Sequence, residues 1–131
     1  MLDTHDIVAI QQLMAHYGHL VDAREFRRLG EIFSDDGSFD VTAHQAGRHE
    51  SLAAVIAFFE RASHPPAHHS TNLYVHEDAG ETRAFSKYAV PSEGGRMYGG
   101  DYRDVLVRTT NGWRIKERVV TARWPGKTLP S

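Results

Sequence analysis

The chain has 131 residues, a formal net charge of -2, nine histidines and no cysteine. That length suits one domain with a core of its own, and the near-neutral balance leaves no basic face for nucleic acid or anionic lipid. Without cysteine there is neither a disulfide nor thiolate chemistry, as in a reducing compartment.

The first residues, Met1-Leu2-Asp3-Thr4-His5-Asp6, show no basic segment and no apolar signal core, and no apolar run approaches the ~20 residues of a membrane span, so the expected location is cytoplasmic. Ile7, Ile10, Leu13, Met14 and Tyr17 then recur at helical spacing, which predicts an amphipathic helix with Asp3 or Thr4 as N-cap and a last turn weakened by Gly18. Phe26, Leu29, Ile32 and Phe33 extend the spacing over a second, shorter helix, and Ser34-Asp35-Asp36-Gly37 reads as the turn that ends it. A short strand is expected from Ser38 to Thr42. Ser51 caps a third helix with Leu52, Val55, Ile56 and Phe59 as its buried stripe, and Pro65-Pro66 stops it.

Past residue 67 the period becomes two. His69, Thr71, Leu73 and Val75 alternate with polar neighbours, and Ala84 to Val90 predicts a further strand. Pro91 to Gly95 is a loop, and Tyr98–Arg108 and Trp113–Arg123 form long strands joined through Asn111-Gly112, a strong hairpin signal. Helices gathered early and strands gathered late predict one α+β domain over residues 1–131, a cone in which a curved antiparallel sheet wraps around about three helices. The mouth of such a cone is a pocket for apolar ligands with a few polar groups inside.

The adjacent histidines His68-His69 stand where the first long strand begins. Neighbouring strand residues face opposite ways, so one imidazole points inward if the strand covers a core, where it must be hydrogen-bonded or put to use. Tyr17 on the first helix could donate a hydrogen bond to a substrate oxygen, and Asn72 could contact ligand or bond across strands. Phe39, Phe58, Phe59, Tyr88, Tyr98 and Trp124 are candidate pocket walls, although aromatics at such spacings also serve as ordinary core. His16, His19 and Asp22 share a helix face, yet three ligands on one helix end make an unusual metal site, and no metal or other cofactor is expected. Asp22-Ala23-Arg24-Glu25 also fits a capping box for the second helix.

This order of elements, with Ile10-Gln11-x-Leu13, Asp22, Phe33-x-Asp35-Asp36 and Gly112-Trp113-x-Ile115, resembles the nuclear transport factor 2-like superfamily over roughly residues 5 to 123, and within it the SnoaL-like group. That group includes polyketide cyclases, scytalone dehydratase and hexachlorocyclohexane dehydrochlorinase. The resemblance implies a cofactor-independent lyase or isomerase acting on a hydrophobic, cyclic small molecule, or else a non-catalytic ligand-binding or subunit-interaction domain. It implies His68, in His68-His69-Ser70-Thr71-Asn72-Leu73, as general base, with Asp22 as its carboxylate partner and Arg118, five residues after Trp113, as a charge for a leaving group or enolate. Phe39, Tyr88, Tyr17, Asn72 and His69 are the expected substrate contacts. Strict alternation from Trp113 and Ile115 places Arg118 on the outer sheet face with Arg114, Lys116 and Val120, unless a bulge shifts the register. A homodimer or homotrimer is implied, formed through that charged face. A hydrolase of epoxides would need Asp101, Arg103 and Asp104 turned inward together.

Overall fold

The computed structural model describes residues 1–123; Trp124 lies outside the described residues. Helix α1, Thr4–Asp22, opens on a reciprocal cap in which the Asp3 carboxylate accepts from Asp6 N and the Asp6 carboxylate from Asp3 N, both at 2.9 Å. Gly18 does not fray it. The helix runs four residues further, and an added Cβ at Gly18 would meet the His68 carbonyl at 3.4 Å, so the glycine marks where the chain leading into the next long strand lies close to the helix.

The expected second α-helix is instead a 3₁₀ turn, Phe26–Glu31, with no side-chain cap, so Asp22 and Glu25 form no capping box there. The turn stops because Ile115 N bonds the Ile32 carbonyl at 2.7 Å, drawing Phe33 into strand β1, Phe33–Asp40. The predicted turn Ser34–Gly37 is a bulge inside that strand, which pairs Phe33 with Ile115 and then Ser38 with Glu117. A 3₁₀ turn at Thr42–His44 and a short strand β2, Arg48–Glu50, follow; the sequence showed no period for either. Helix α2, Leu52–Arg61, starts at Ser51, whose Oγ accepts from Ala54 N at 3.1 Å. Strands β3 His69–Asp78, β4 Glu81–Pro91, β5 Met97–Thr109 and β6 Gly112–Ala122 complete the fold.

The six strands form one curved, unclosed sheet in the order β2-β1-β6-β5-β4-β3, with the helices packed inside its curve. Its pairs are antiparallel except β1 with β6, which run parallel, a departure from the all-antiparallel expectation. Tyr17 sits at the centre of the core, edge-on to Phe33, Phe59 and Tyr102 at ring separations of 6.3, 6.3 and 5.9 Å.

Two bulges decide which side chains face inward. Between β5 and β6 the register slips after Val105, which pairs with Glu117 while Leu106 pairs with Ile115, so Lys116 is passed over and Arg118 and Val120 turn into the core beside Trp113 and Ile115. Arg118 is 0% exposed, which corrects its placement on the outer face. In β3 the register slips between Thr71 and Tyr74, with Asn72 at φ 56, so the exposed set His69, Thr71 gives way to a half-buried Leu73 and Val75.

Candidate functional site

A cavity of about 490 Å³ opens between the sheet, α2 and the segment joining α2 to β3. Its walls are aromatic, with Phe39, Phe58, Phe59, Tyr88 and Tyr98 from the expected set and Tyr17 beneath them. His68 lines it one residue before β3 begins.

Asp22, the last residue of α1, holds His68 twice. Its Oδ2 accepts from His68 N at 3.0 Å, and its Oδ1 lies 2.6 Å from Nδ1 of the imidazole. With the carboxylate accepting the Nδ1 proton, Nε2 is left as a lone-pair site with no protein partner among the described residues. The linker before His68 is held by Arg24, which donates to the carbonyls of Val21, His64 and Pro65 at 3.0, 3.0 and 3.2 Å. Asp22 itself is absent from the cavity wall. It stands behind His68 on a second groove of about 510 Å³ between α1 and β3, and His69 and Asn72 lie on this outer groove too. His69 is exposed by alternation, and the left-handed backbone at Asn72 keeps its side chain on the outside, so neither expected contact reaches the aromatic cavity.

Arg118 does not line the cavity either. Its Nε and Nη2 each donate to Asp104 at 2.8 Å, Nη2 also approaches Met14 Sδ at 2.9 Å, and its carbon Cζ sits 4.5 Å from the Tyr17 ring centre and 3.9 Å from that of Tyr102. Burial pulls the guanidinium's pKa down, but the Asp104 carboxylate more than offsets it, and the net shift is upward. Nη1 is buried with no protein partner among the described residues. The charge thus lies beneath two cavity tyrosines. The Asp101-Arg103-Asp104 set does not converge: Asp101 pairs with Lys87 and Arg123 near the surface, Arg103 is exposed over Phe85, and only Asp104 is buried.

Three residues of the site escaped the sequence reading. His44 lies in a loop with no periodicity, His64 in the aperiodic linker after α2, and both line the cavity. Tyr102 had a usable signal, because Tyr102, Asp104 and Leu106 share one alternating face and a carboxylate in that row demands a buried partner. Burial raises the pKa of Tyr17 and of Tyr102, and it pushes Tyr88 up to about 12 with help from the Asp101 charge, so all three are proton-bearing phenols at neutral pH. Burial lowers His44, and it lowers His64 against the opposing pull of the Phe59 carbonyl.

A cone of helices and curved sheet around such a cavity matches the family profile of the SnoaL-like domain, which spans residues 3–119. The chain belongs to the SnoaL-like family, within the nuclear transport factor 2-like superfamily. Among relatives of the chain, the uncharacterized protein Rv2910c of Mycobacterium tuberculosis is 31% identical over 126 residues, 88% of this chain and 84% of its own. A candidate aromatic ring hydroxylase from Novosphingobium aromaticivorans superposes with a TM-score of 0.77 at 26% identity, covering 98% of this chain and 96% of its own. ActVI-ORFA of Streptomyces coelicolor gives 0.78 at 19%, over 92% and 98% of the chains, and a type 2 hexachlorocyclohexane dehydrochlorinase gives 0.77 at 18%, over 97% and 90%. The last two likenesses establish the shared fold. No helix among the described residues is long and apolar enough to cross a membrane.

Proposed function

We propose that this SnoaL-like protein is a cofactor-independent lyase or isomerase for a hydrophobic, cyclic small molecule, with His68 as general base. The supporting observation is the 2.6 Å contact between His68 Nδ1 and Asp22 Oδ1 at the wall of an aromatic cavity. The carboxylate selects the tautomer that leaves Nε2 basic and stabilises the imidazolium once a proton arrives. In the reaction, a substrate C–H bond breaks and its proton passes to Nε2. The released electron pair forms a double bond, either expelling a leaving group from the neighbouring carbon or shifting charge onto a carbonyl oxygen as an enolate. Tyr17, Phe39 and Tyr88 would hold the ring system. Arg118 would act through Tyr17 and Tyr102, its charge strengthening them as hydrogen-bond donors. His69 and Asn72 would meet only a substituent that reaches past His68 into the outer groove. The family reading also carries a homodimer or homotrimer in the cytoplasm, which sedimentation velocity tests.

The decisive experiment incubates the protein in D2O with a panel of cyclic ketones and of hydroxylated or halogenated cyclohexanes, following C–H exchange and water or halide release. We expect turnover of at least one compound, reduced about 10²–10⁴-fold in His68→Ala and less in Asp22→Asn, with binding retained. Turnover that survives His68→Ala would remove the base assignment. Binding without turnover across the panel would leave a non-catalytic ligand-binding domain.

A further inference from the structure

On the wall made by β4 and the Thr42–His44 turn, the cavity carries a second polar pair outside the His68 machinery. His44 Nε2 lies 2.7 Å from the Tyr88 hydroxyl, and that hydroxyl donates to the Thr121 carbonyl at 3.1 Å. A carbonyl can only accept and a phenol has one proton, so the Tyr88 proton points at Thr121 O and Nε2 carries the hydrogen that His44 shares with Tyr88. The Tyr88 ring is fixed by stacking on Tyr102, centres 4.8 Å apart and 22° from parallel, and by the bare backbone of Gly100, where an added Cβ would stand 2.8 Å from the Tyr88 oxygen. Both residues line the cavity.

We propose that Tyr88 is the anchor for a carbonyl oxygen of the cavity ligand and that His44 is its positioning residue. An imidazole N–H donated to the phenol oxygen withdraws electron density from the O–H bond, which makes Tyr88 a stronger donor than an isolated phenol. The hydroxyl exchanges one carbonyl acceptor, Thr121 O, for another on the ligand, so no buried donor is left unpaired while the cavity is empty. The inference rests on the proposed function only in taking a ring-bearing carbonyl compound as the class of ligand. During proton removal by His68 the same oxygen gains negative charge, and no proton need leave Tyr88, whose pKa is pushed up to about 12, chiefly by burial.

The probe is 1-tetralone, with its hydrocarbon analogue tetralin as control. The carbonyl stretch of bound 1-tetralone is read by infrared difference spectroscopy in the wild type, Tyr88→Phe and His44→Phe, with folding checked by circular dichroism. His44→Phe keeps a ring for the T-shaped contact with Tyr88, 6.2 Å between centres, while removing the donor. We expect a lowered stretching frequency in the wild type, no lowering in Tyr88→Phe, and an intermediate value in His44→Phe. The preference for 1-tetralone over tetralin should fall by about threefold to tenfold in Tyr88→Phe, the size of one neutral hydrogen bond. A frequency unchanged in folded Tyr88→Phe overturns the anchor, and one unchanged in folded His44→Phe overturns the positioning role. Exchange of the ketone's α-hydrogens in D2O separates this from the base assignment. A lowered stretch with no exchange leaves the anchor standing without the base, whereas His68-dependent exchange with no lowering does the reverse.

Discussion

At the scale of single residues, Arg118 is the most consequential side chain outside the cavity wall. A guanidinium with no exposure is tolerable because Asp104 accepts two of its hydrogens and two phenol rings flank its face. Arg118→Met should therefore destabilise the fold by about 3–5 kcal/mol, because it strands a buried carboxylate, and Asp104→Leu should cost about as much by stranding the cation. The double variant Arg118→Met with Asp104→Leu should recover much of that loss in urea unfolding; a double loss equal to the sum of the two single losses would show that the pair is not coupled. The sequence placed Arg118 outside because alternation was counted through Lys116 and Glu117, and nothing in Lys116-Glu117 announces a bulge. Pairing geometry with β5 sets that register, and it is a property of the two strands together. His68 and Asp22, in contrast, came from the resemblance to SnoaL-like proteins, since the residues alone said only that one of His68 and His69 turns inward; the two meet where α1 ends and the chain enters β3.

At the scale of elements, the turns show how far local chemistry reads. Asn111-Gly112 does mark the β5–β6 hairpin, but Thr109 pairs with Gly112, so Thr110 and Asn111 form the loop and Gly112 alone takes the positive φ, at 104°. The β3–β4 turn passed unnoticed because its first residue is Ala79, held at φ 52 ahead of Gly80 at φ 81. Those angles are the ones Asn-Gly favours. Ala79→Asn should accordingly raise stability by about 0.5–1 kcal/mol, visible as a higher melting temperature, and a lower one would show that the turn is not strained. Gly100 has the opposite character. An added Cβ there would lie 1.8 Å from the Thr121 carbonyl, so Gly100→Ala should force β5 and β6 apart beside Tyr88 and leave the protein poorly folded by circular dichroism. A folded Gly100→Ala of unchanged stability would mean the strands yield easily at that point. The helix-to-strand switch at Ile32 was illegible for a related reason: Leu29, Ile32 and Phe33 keep a helical period, and only the bond from Ile115 N ends it.

At the scale of the whole molecule, acid should weaken the fold in two separate windows. His44 and His64 have folded pKa values lowered by burial, so above the unfolded value of 6.5 they impose no cost; as pH falls through 6.5, the unfolded chain takes up protons that the folded one resists. Asp6 is lowered to about 2 from 3.8, by the Asp3 backbone above all and then by Trp113 and Arg108 against opposing burial, so its contribution is present above 3.8 and is lost between there and about 2. Urea midpoints should start to decline as pH falls through 6.5 and should decline further below 3.8. His44→Phe should flatten the first decline, and an unaltered profile would exclude His44 as its source.

The parallel pairing of β1 with β6 has a kinetic consequence. One side of β1 pairs early with β2, but its other side waits for a segment far along the chain, because there Phe33 and Ser38–Asp40 meet Ile115 and Glu117–Val119. Until then the edge of β1 opposite β2 stays open, and the site's foundation at Arg118 is missing. Folding is thus expected to be a late and concerted event dominated by contacts distant along the chain, slow for a protein of this size, and a nascent chain halted before β6 would expose β1 as an unpaired edge.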